Sequence, residues 1–128
     1  IDGVVERGDG RGQGLGFPTA NVAMEAGTAV PEQGVYAGRV GLVGATSAAA
    51  INIGTSPTFA GADRRGVRVE AFLLDHDGSD LYDQPIRVEF LARLRREERF
   101  ESVDELVKQM HRDVEATRRI VAAHAEGG

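Results

Sequence analysis

The chain has 128 residues, 41% hydrophobic and 27% charged, a balance that suits one folded domain and argues against disorder. It contains no cysteine, which excludes disulfide scaffolds, zinc knuckles, thiolate catalysis and iron–sulfur sites, and its net charge of −5 argues against a nucleic-acid or anionic-membrane surface. Of its 15 basic residues only Lys108 is a lysine, and it lies in helical sequence, so both the P-loop and the protein-kinase fold are excluded.

In chain order, Asp2–Glu6 reads as a short strand. Six of the 17 glycines then crowd into the first 20 residues, and Gly8–Gly16 can only be a loop, because so many glycines would strip a helix or strand of side chains. It is either a floppy connector or a loop pinned between strands, whose backbone N–H groups approach a phosphate closely. It is not a dinucleotide fingerprint, since no helix opens after it. A strand-like run, Ala20–Met24, follows. In Phe17-Pro-Thr-Ala-Asn21, Thr19 and Asn21 stand two apart on extended chain and so point to one side. Both are hard oxygen donors suited to Mg²⁺ and phosphate oxygens, although Pro, Thr and Asn are also turn formers.

Four more strands are predicted. Gly34–Val43 places Tyr36, Val40 and Leu42 on one parity. Ala48–Ile53 is a continuous apolar run, which suggests cover on both sides. Val67–Leu74 sets Val67, Val69, Ala71 and Leu73 on one face, and Ile86–Leu91 turns Ile86, Val88 and Phe90 inward. Turn signals at Pro31–Gly34, Gly61–Gly66 and Asp75–Pro85 separate them, a pattern of antiparallel barrels and sandwiches. Glu70 shares its strand face with Arg68, Phe72 and Leu74. It reads as a partly desolvated carboxylate fit for a general base, or as an edge-strand carboxylate paired with Arg68. Arg93–Phe100 reads as a solvated joint, or as a loop that offers Arg95 to an anion. His76, His111 and His124 lack ligand spacing and are assigned no metal role.

The period changes at the end of the chain. Ser102 and Glu105 form a capping-box signature. Val103, Leu106, Val107, Met110, Val114, Thr117 and Val121 recur at helical spacing, so one amphipathic helix is expected over about Val103–His124, its stripe packed on the sheet as core.

Taken together, these blocks closely resemble riboflavin kinase domains. The resemblance is carried by Gly3-Val-Val, Gly8-Asp-Gly-Arg-Gly12, Leu15-Gly-Phe-Pro-Thr-Ala-Asn21, Gly34-Val-Tyr-Ala37, Asn52-Ile-Gly-Thr-Ser-Pro-Thr-Phe59, Val69-Glu-Ala-Phe-Leu-Leu-Asp75, Asp80-Leu-Tyr82 and Leu94-Arg95 leading to Phe100 and Ser102. The blocks run in family order over about residues 3–118, in the style of the C-terminal half of the prokaryotic bifunctional enzyme.

The resemblance implies an all-β domain with one long C-terminal helix. Its core would be a closed antiparallel barrel of about six strands over about residues 1–100, with the helix at about 103–124. It implies transfer of phosphate from ATP to riboflavin, giving FMN and ADP, with Mg²⁺. Thr19 and Asn21 would hold the metal and the nucleotide phosphates. Gly10, Arg11, Gly12 and Gly16 would belong to a flap beside Phe17 and Pro18, with Arg11 the flap's cation because Gln13 and Leu15 are not basic. Glu70 would be the base, and Arg95 would belong to a mobile loop at the flavin site. An N-terminal FMN adenylyltransferase module is the expected companion in the full-length protein. A flavin- or nucleotide-binding barrel without turnover is the alternative. No nucleic-acid or membrane partner is expected. No apolar run reaches the ~18 residues of a membrane span and no charged-then-apolar leader precedes Ile1, so a cytoplasmic setting is expected.

Overall fold

The structure is a computed structural model that describes residues 1–6, 18–25, 27–55, 66–76, 81–96 and 98–126. Gly10, Arg11, Gly12, Gly16 and Phe17 lie outside the described residues, as do most of the predicted Gly61–Gly66 turn and part of the Asp75–Pro85 turn. Among the described residues, six strands and one helix follow in order: β1 (Asp2–Glu6), β2 (Thr19–Ala23), β3 (Gly34–Leu42), β4 (Ala45–Thr55), β5 (Val67–Leu73), β6 (Pro85–Arg95) and α1 (Val103–Glu126).

The strands pair antiparallel in the order β1-β2-β5-β4-β3-β6, and β6 returns to β1. Closure decides for a barrel over a sandwich and leaves none of the six strands with an open edge. The period-two residues fill the interior: Val5, Ala20, Val22, Tyr36, Val40, Ile51, Ile53, Val69, Ala71, Leu73, Ile86 and Val88 form one buried cluster. Val67, Leu42 and Phe90, also predicted inward, are only partly buried against that cluster. Phe90 meets Tyr36 edge to face, with ring centroids 5.3 Å apart.

Two sequence boundaries move. β4 begins at Ala45 because a tight turn at Val43-Gly44, with Gly44 at φ 75°, joins it directly to β3 along their whole length. β6 runs on to Arg95 through two register shifts against β3, which bring Arg95 opposite Val35. Between them β3 and β6 approach so closely at Gly38 that a Cβ there would collide with the carbonyl oxygen of Glu89 and with Ile51.

The parity opposite the barrel core is covered by α1. Ala48 and Ala50 are buried on that side while Ala49 and Ile51 face inward, which is the double cover expected of the apolar run. The helix starts as the capping signature requires: Ser102 Oγ accepts from the Glu105 N–H, and the Glu105 carboxylate reaches back to the N–H of Glu101.

The stripe itself behaves differently from its prediction as continuous core. Val103 is 74% and Leu106 38% exposed, and the two most buried helix positions are polar, Asp113 and Thr117. Asp113 is buried because a strand arginine meets it there. Thr117 is fully buried, and its Oγ1 has no hydrogen-bond partner among the described residues. An unpaired buried hydroxyl is worth about 1–3 kcal/mol of desolvation. Thr117→Val keeps the shape and removes that group, so it should stabilise the fold by about 1 kcal/mol, raising Tm by roughly 3–5 °C. Thermal denaturation with Tm unchanged or lowered would show that the hydroxyl is satisfied.

Candidate active site

Register, not sequence proximity, assembles the polar side chains. Asn21 on β2 stands directly opposite Glu70 on β5, and Glu70 stands directly opposite Asn52 on β4. The row continues through Val35 on β3 to Arg95 on β6. Partners in direct register project to the same face, so five strands present one transverse line on the outer face of the barrel, and α1 packs over its β3, β4 and β6 part. Thr19 lies one pleat along, opposite Phe72, and the Pro18 carbonyl accepts from the Leu73 N–H, which fixes the entry into β2 beside β5.

Glu70 is 5% exposed on a strand paired on both sides, so the edge-strand reading is overturned. The ion pair of that reading is present: Arg68 Nη2 lies 3.4 Å from Glu70 Oε1, with the Arg68 side chain 14% and the Glu70 side chain 6% exposed. A carboxylate at this depth needs such a partner to stay charged. Asn21 is buried beside it. Thr19 Oγ1, Asn21 Oδ1 and Asn52 Oδ1 are buried oxygens without a hydrogen-bond partner among the described residues. Native proteins rarely leave such atoms unpaired. Two of the three, from Thr19 and Asn21, supply neutral oxygens next to a carboxylate, a donor set that fits a hard divalent cation and phosphate-bound metal. Among the described residues there is no cluster of His, Asp and Glu to compete for a metal; His111 and His124 are exposed and His76 half-buried.

A cavity of 200 Å³ opens beside Glu70 between the barrel and α1. Val35, Ala50, Phe72, Leu106, Met110 and Val114 make most of its wall apolar, and Asn52, Arg68, Glu70, Arg95 and Asp113 supply the polar groups. It continues into a 580 Å³ vestibule that shares Asn52, Arg68 and Arg95 and adds Phe100 and Val103. The exposed start of the helical stripe is therefore the lip of this opening.

Arg95 does not sit on a mobile loop. It is the last residue of β6, and its Nε and Nη2 engage the Asp113 carboxylate at 3.1 and 2.9 Å, side chains 15% and 8% exposed. Gln109 donates to the same carboxylate, and the Phe100 ring lies 5.6 Å from the guanidinium carbon. A second clamp holds the helix farther along. Arg118 donates to Asp75 at 3.0 Å and to the Leu74 carbonyl, and Asp75 accepts from the Ala48 N–H. Burial works against the Asp75 charge, but Arg118 and the Ala48 N–H overrule it and hold its carboxyl below the ordinary value. That contribution to stability is present above about pH 4 and is lost as pH falls through the lowered folded value.

Sequence reasoning missed Asn52, Arg68 and Asp113 as lining residues. Asn52 was visible as the one polar interruption of an apolar run. Asp113 falls on the stripe itself, three residues from Met110 and four from Thr117.

A family model described as riboflavin kinase matches residues 1–121. The chain belongs to the riboflavin kinase family. It is 43% identical over 114 residues to the bifunctional riboflavin kinase/FMN adenylyltransferase of Escherichia coli, covering 88% of this chain and 35% of that protein. The riboflavin kinase structure from Trypanosoma brucei superposes with a TM-score of 0.68 at 25% identity, covering 94% of this chain and 78% of that one. A Streptococcus pneumoniae structure described as a macrolide-efflux protein superposes with a TM-score of 0.78 at 35% identity, covering 91% of this chain and 37% of that one. The chain spans about a third of the length of the curated relatives it matches. Among the described residues, no helix is long and apolar enough to cross a membrane.

Proposed function

We propose that this domain transfers the γ-phosphoryl group of ATP to the terminal hydroxyl of riboflavin, releasing FMN and ADP. The observation that carries the reading is the buried row Asn21–Glu70–Asn52 beside a largely apolar cavity, in a chain of the riboflavin kinase family. The isoalloxazine ring suits the apolar wall under α1. Glu70 accepts the proton of the ribityl terminal hydroxyl, whose oxygen forms a bond to the γ-phosphorus as the bond to the ADP oxygen breaks. Thr19 and Asn21 would hold Mg²⁺, which when bound neutralises phosphate charge. No P-loop lysine exists to do so, and the flap residues Gly10, Arg11, Gly12 and Gly16 are proposed to add backbone N–H groups and one cation. Arg95 serves the cavity as part of its wall, through Asp113, and not as a free anion ligand. In a longer protein, an FMN adenylyltransferase module like that of the bifunctional relatives would take the product onward.

The test is incubation of the chain with riboflavin, ATP and Mg²⁺, with chromatographic separation of FMN from FAD. FMN should accumulate, FAD should not, and chelation of the metal should stop turnover. Tight flavin binding without FMN would favour the non-catalytic barrel. FAD from the purified chain would overturn the single-step reading.

A further inference from the structure

The row that carries Glu70 extends beyond it on the side away from Asn21. Asn52 is the next side chain, in direct register with Glu70 and facing the same space. It lines both the cavity and the vestibule, so it stands where the two join. Its Oδ1 is buried without a hydrogen-bond partner among the described residues. Two cationic side chains share the cavity, and each has a carboxylate: Arg68 meets Glu70, and Arg95 is gripped by Asp113. The rest of the wall around Asn52 is Val35, Ala50 and Phe72, which carry no side-chain donor.

An amide oxygen held dry in this way is an acceptor waiting for a donor. Ionised phosphate oxygens accept and do not donate, so the triphosphate does not fill that role. A hydroxyl or an N–H can, and Asn52 lies on the side of Glu70 away from Asn21 and the proposed phosphate and metal ligands, so the donor belongs to the acceptor substrate. Adjacent strands lie about 4.8 Å apart, so a polyol whose terminal hydroxyl meets Glu70 brings its following hydroxyls over Asn52. We infer that Asn52 is a substrate-binding residue that selects the acceptor: its Oδ1 accepts a hydrogen bond from a secondary hydroxyl of the ribityl chain and so seats the terminal hydroxyl against Glu70. This rests on the riboflavin kinase reading of the site. It assigns Asn21 and Asn52, which flank Glu70 symmetrically, to opposite substrates: the nucleotide side and the acceptor side.

The experiment compares the chain with its Asn52→Leu variant, using riboflavin and analogues that each lack one secondary ribityl hydroxyl. For riboflavin the variant's KM should rise about tenfold, the worth of one buried hydrogen bond, with the KM for ATP within about twofold of the parent. For the analogue lacking the hydroxyl that Asn52 grips, parent and variant should have equal KM, because the partner is already gone. The variant's Tm should be unchanged or higher, since an unpaired buried oxygen is removed. Asn52→Ser keeps an acceptor oxygen and should fall between the two in KM. It also serves as the second variant if Leu is not tolerated. An unchanged KM for riboflavin overturns the inference, and so does an equal rise for every analogue or a rise in the KM for ATP instead. A parent chain that makes no FMN overturns the reading of the site itself, a result distinct from all of these.

Discussion

Replacing Glu70 with Gln should slow turnover by about 10²–10⁴-fold, the usual contribution of a positioned general base, while ATP affinity changes far less. Gln keeps the length, the shape and one accepting oxygen, and loses only the capacity to take the proton. The structure sharpens the experiment, because Glu70 and Arg68 are a buried pair. Neutralising one partner leaves the other's charge poorly compensated, at a cost of about 1–3 kcal/mol of stability. The loss in rate must therefore be measured well below the variant's Tm, with the folded fraction established by circular dichroism. Arg68→Lys probes the other half of the pair: it loosens the same contact and keeps a cation beside the carboxylate. A rate loss confined to Glu70→Gln is base chemistry. A loss below about tenfold for a fully folded Glu70→Gln protein would relegate Glu70 to a structural partner of Arg68.

The strands were legible because their cause is local. Alternation in Val67–Leu73 or Ile86–Val88 is a property of the segment itself, and a capping residue such as Ser102 announces its helix. The composition of the site was legible in part for the same reason: Thr19, Asn21 and Glu70 are each odd in their surroundings, being polar on strands with apolar neighbours. Their arrangement was not. Whether Asn21 and Asn52 both flank Glu70 depends on which strands are neighbours and in what register, and β5 pairs with β2 across nearly fifty residues of sequence. The placement of Arg95 failed for a related reason. The run Arg93–Phe100 has the charge density of a loop, but β6 continues into it, because two register shifts let the strand keep pairing with β3. Asp113 lies at stripe spacing, but a lone charge there gives no sign of burial, because charge is usually solvated. Only the arrival of Arg95 from another element makes it a buried residue. Polar burial is decided between elements, and one sequence shows its elements one at a time.

Asp113→Ala should destabilise the domain by about 3–5 kcal/mol, the range for removing one partner of a buried ion pair. In a domain of this size that lowers Tm by roughly 10–20 °C. The loss comes less from the missing attraction than from Arg95, which keeps its charge in a site where its side chain is 15% exposed and its Nε and Nη2 have lost their acceptor. Asp113→Asn still offers one oxygen and should fall about midway. Replacing both partners, Arg95→Met with Asp113→Leu, removes the stranded charge and should recover most of the stability, since apolar residues often replace a buried pair without loss. The clamp also fixes α1 against β6 at the edge of the cavity, between the exposed lip at Leu106 and the second clamp at Arg118. The double variant should thus be stable and yet bind flavin more weakly, because the helix loses the contact that sets its distance from the barrel. Urea denaturation of the parent, Arg95→Met, Asp113→Leu and the double variant gives the coupling energy directly. If Asp113→Ala is as stable as the parent, the pair does not hold the helix, and Arg95 is free to meet an anionic ligand after all.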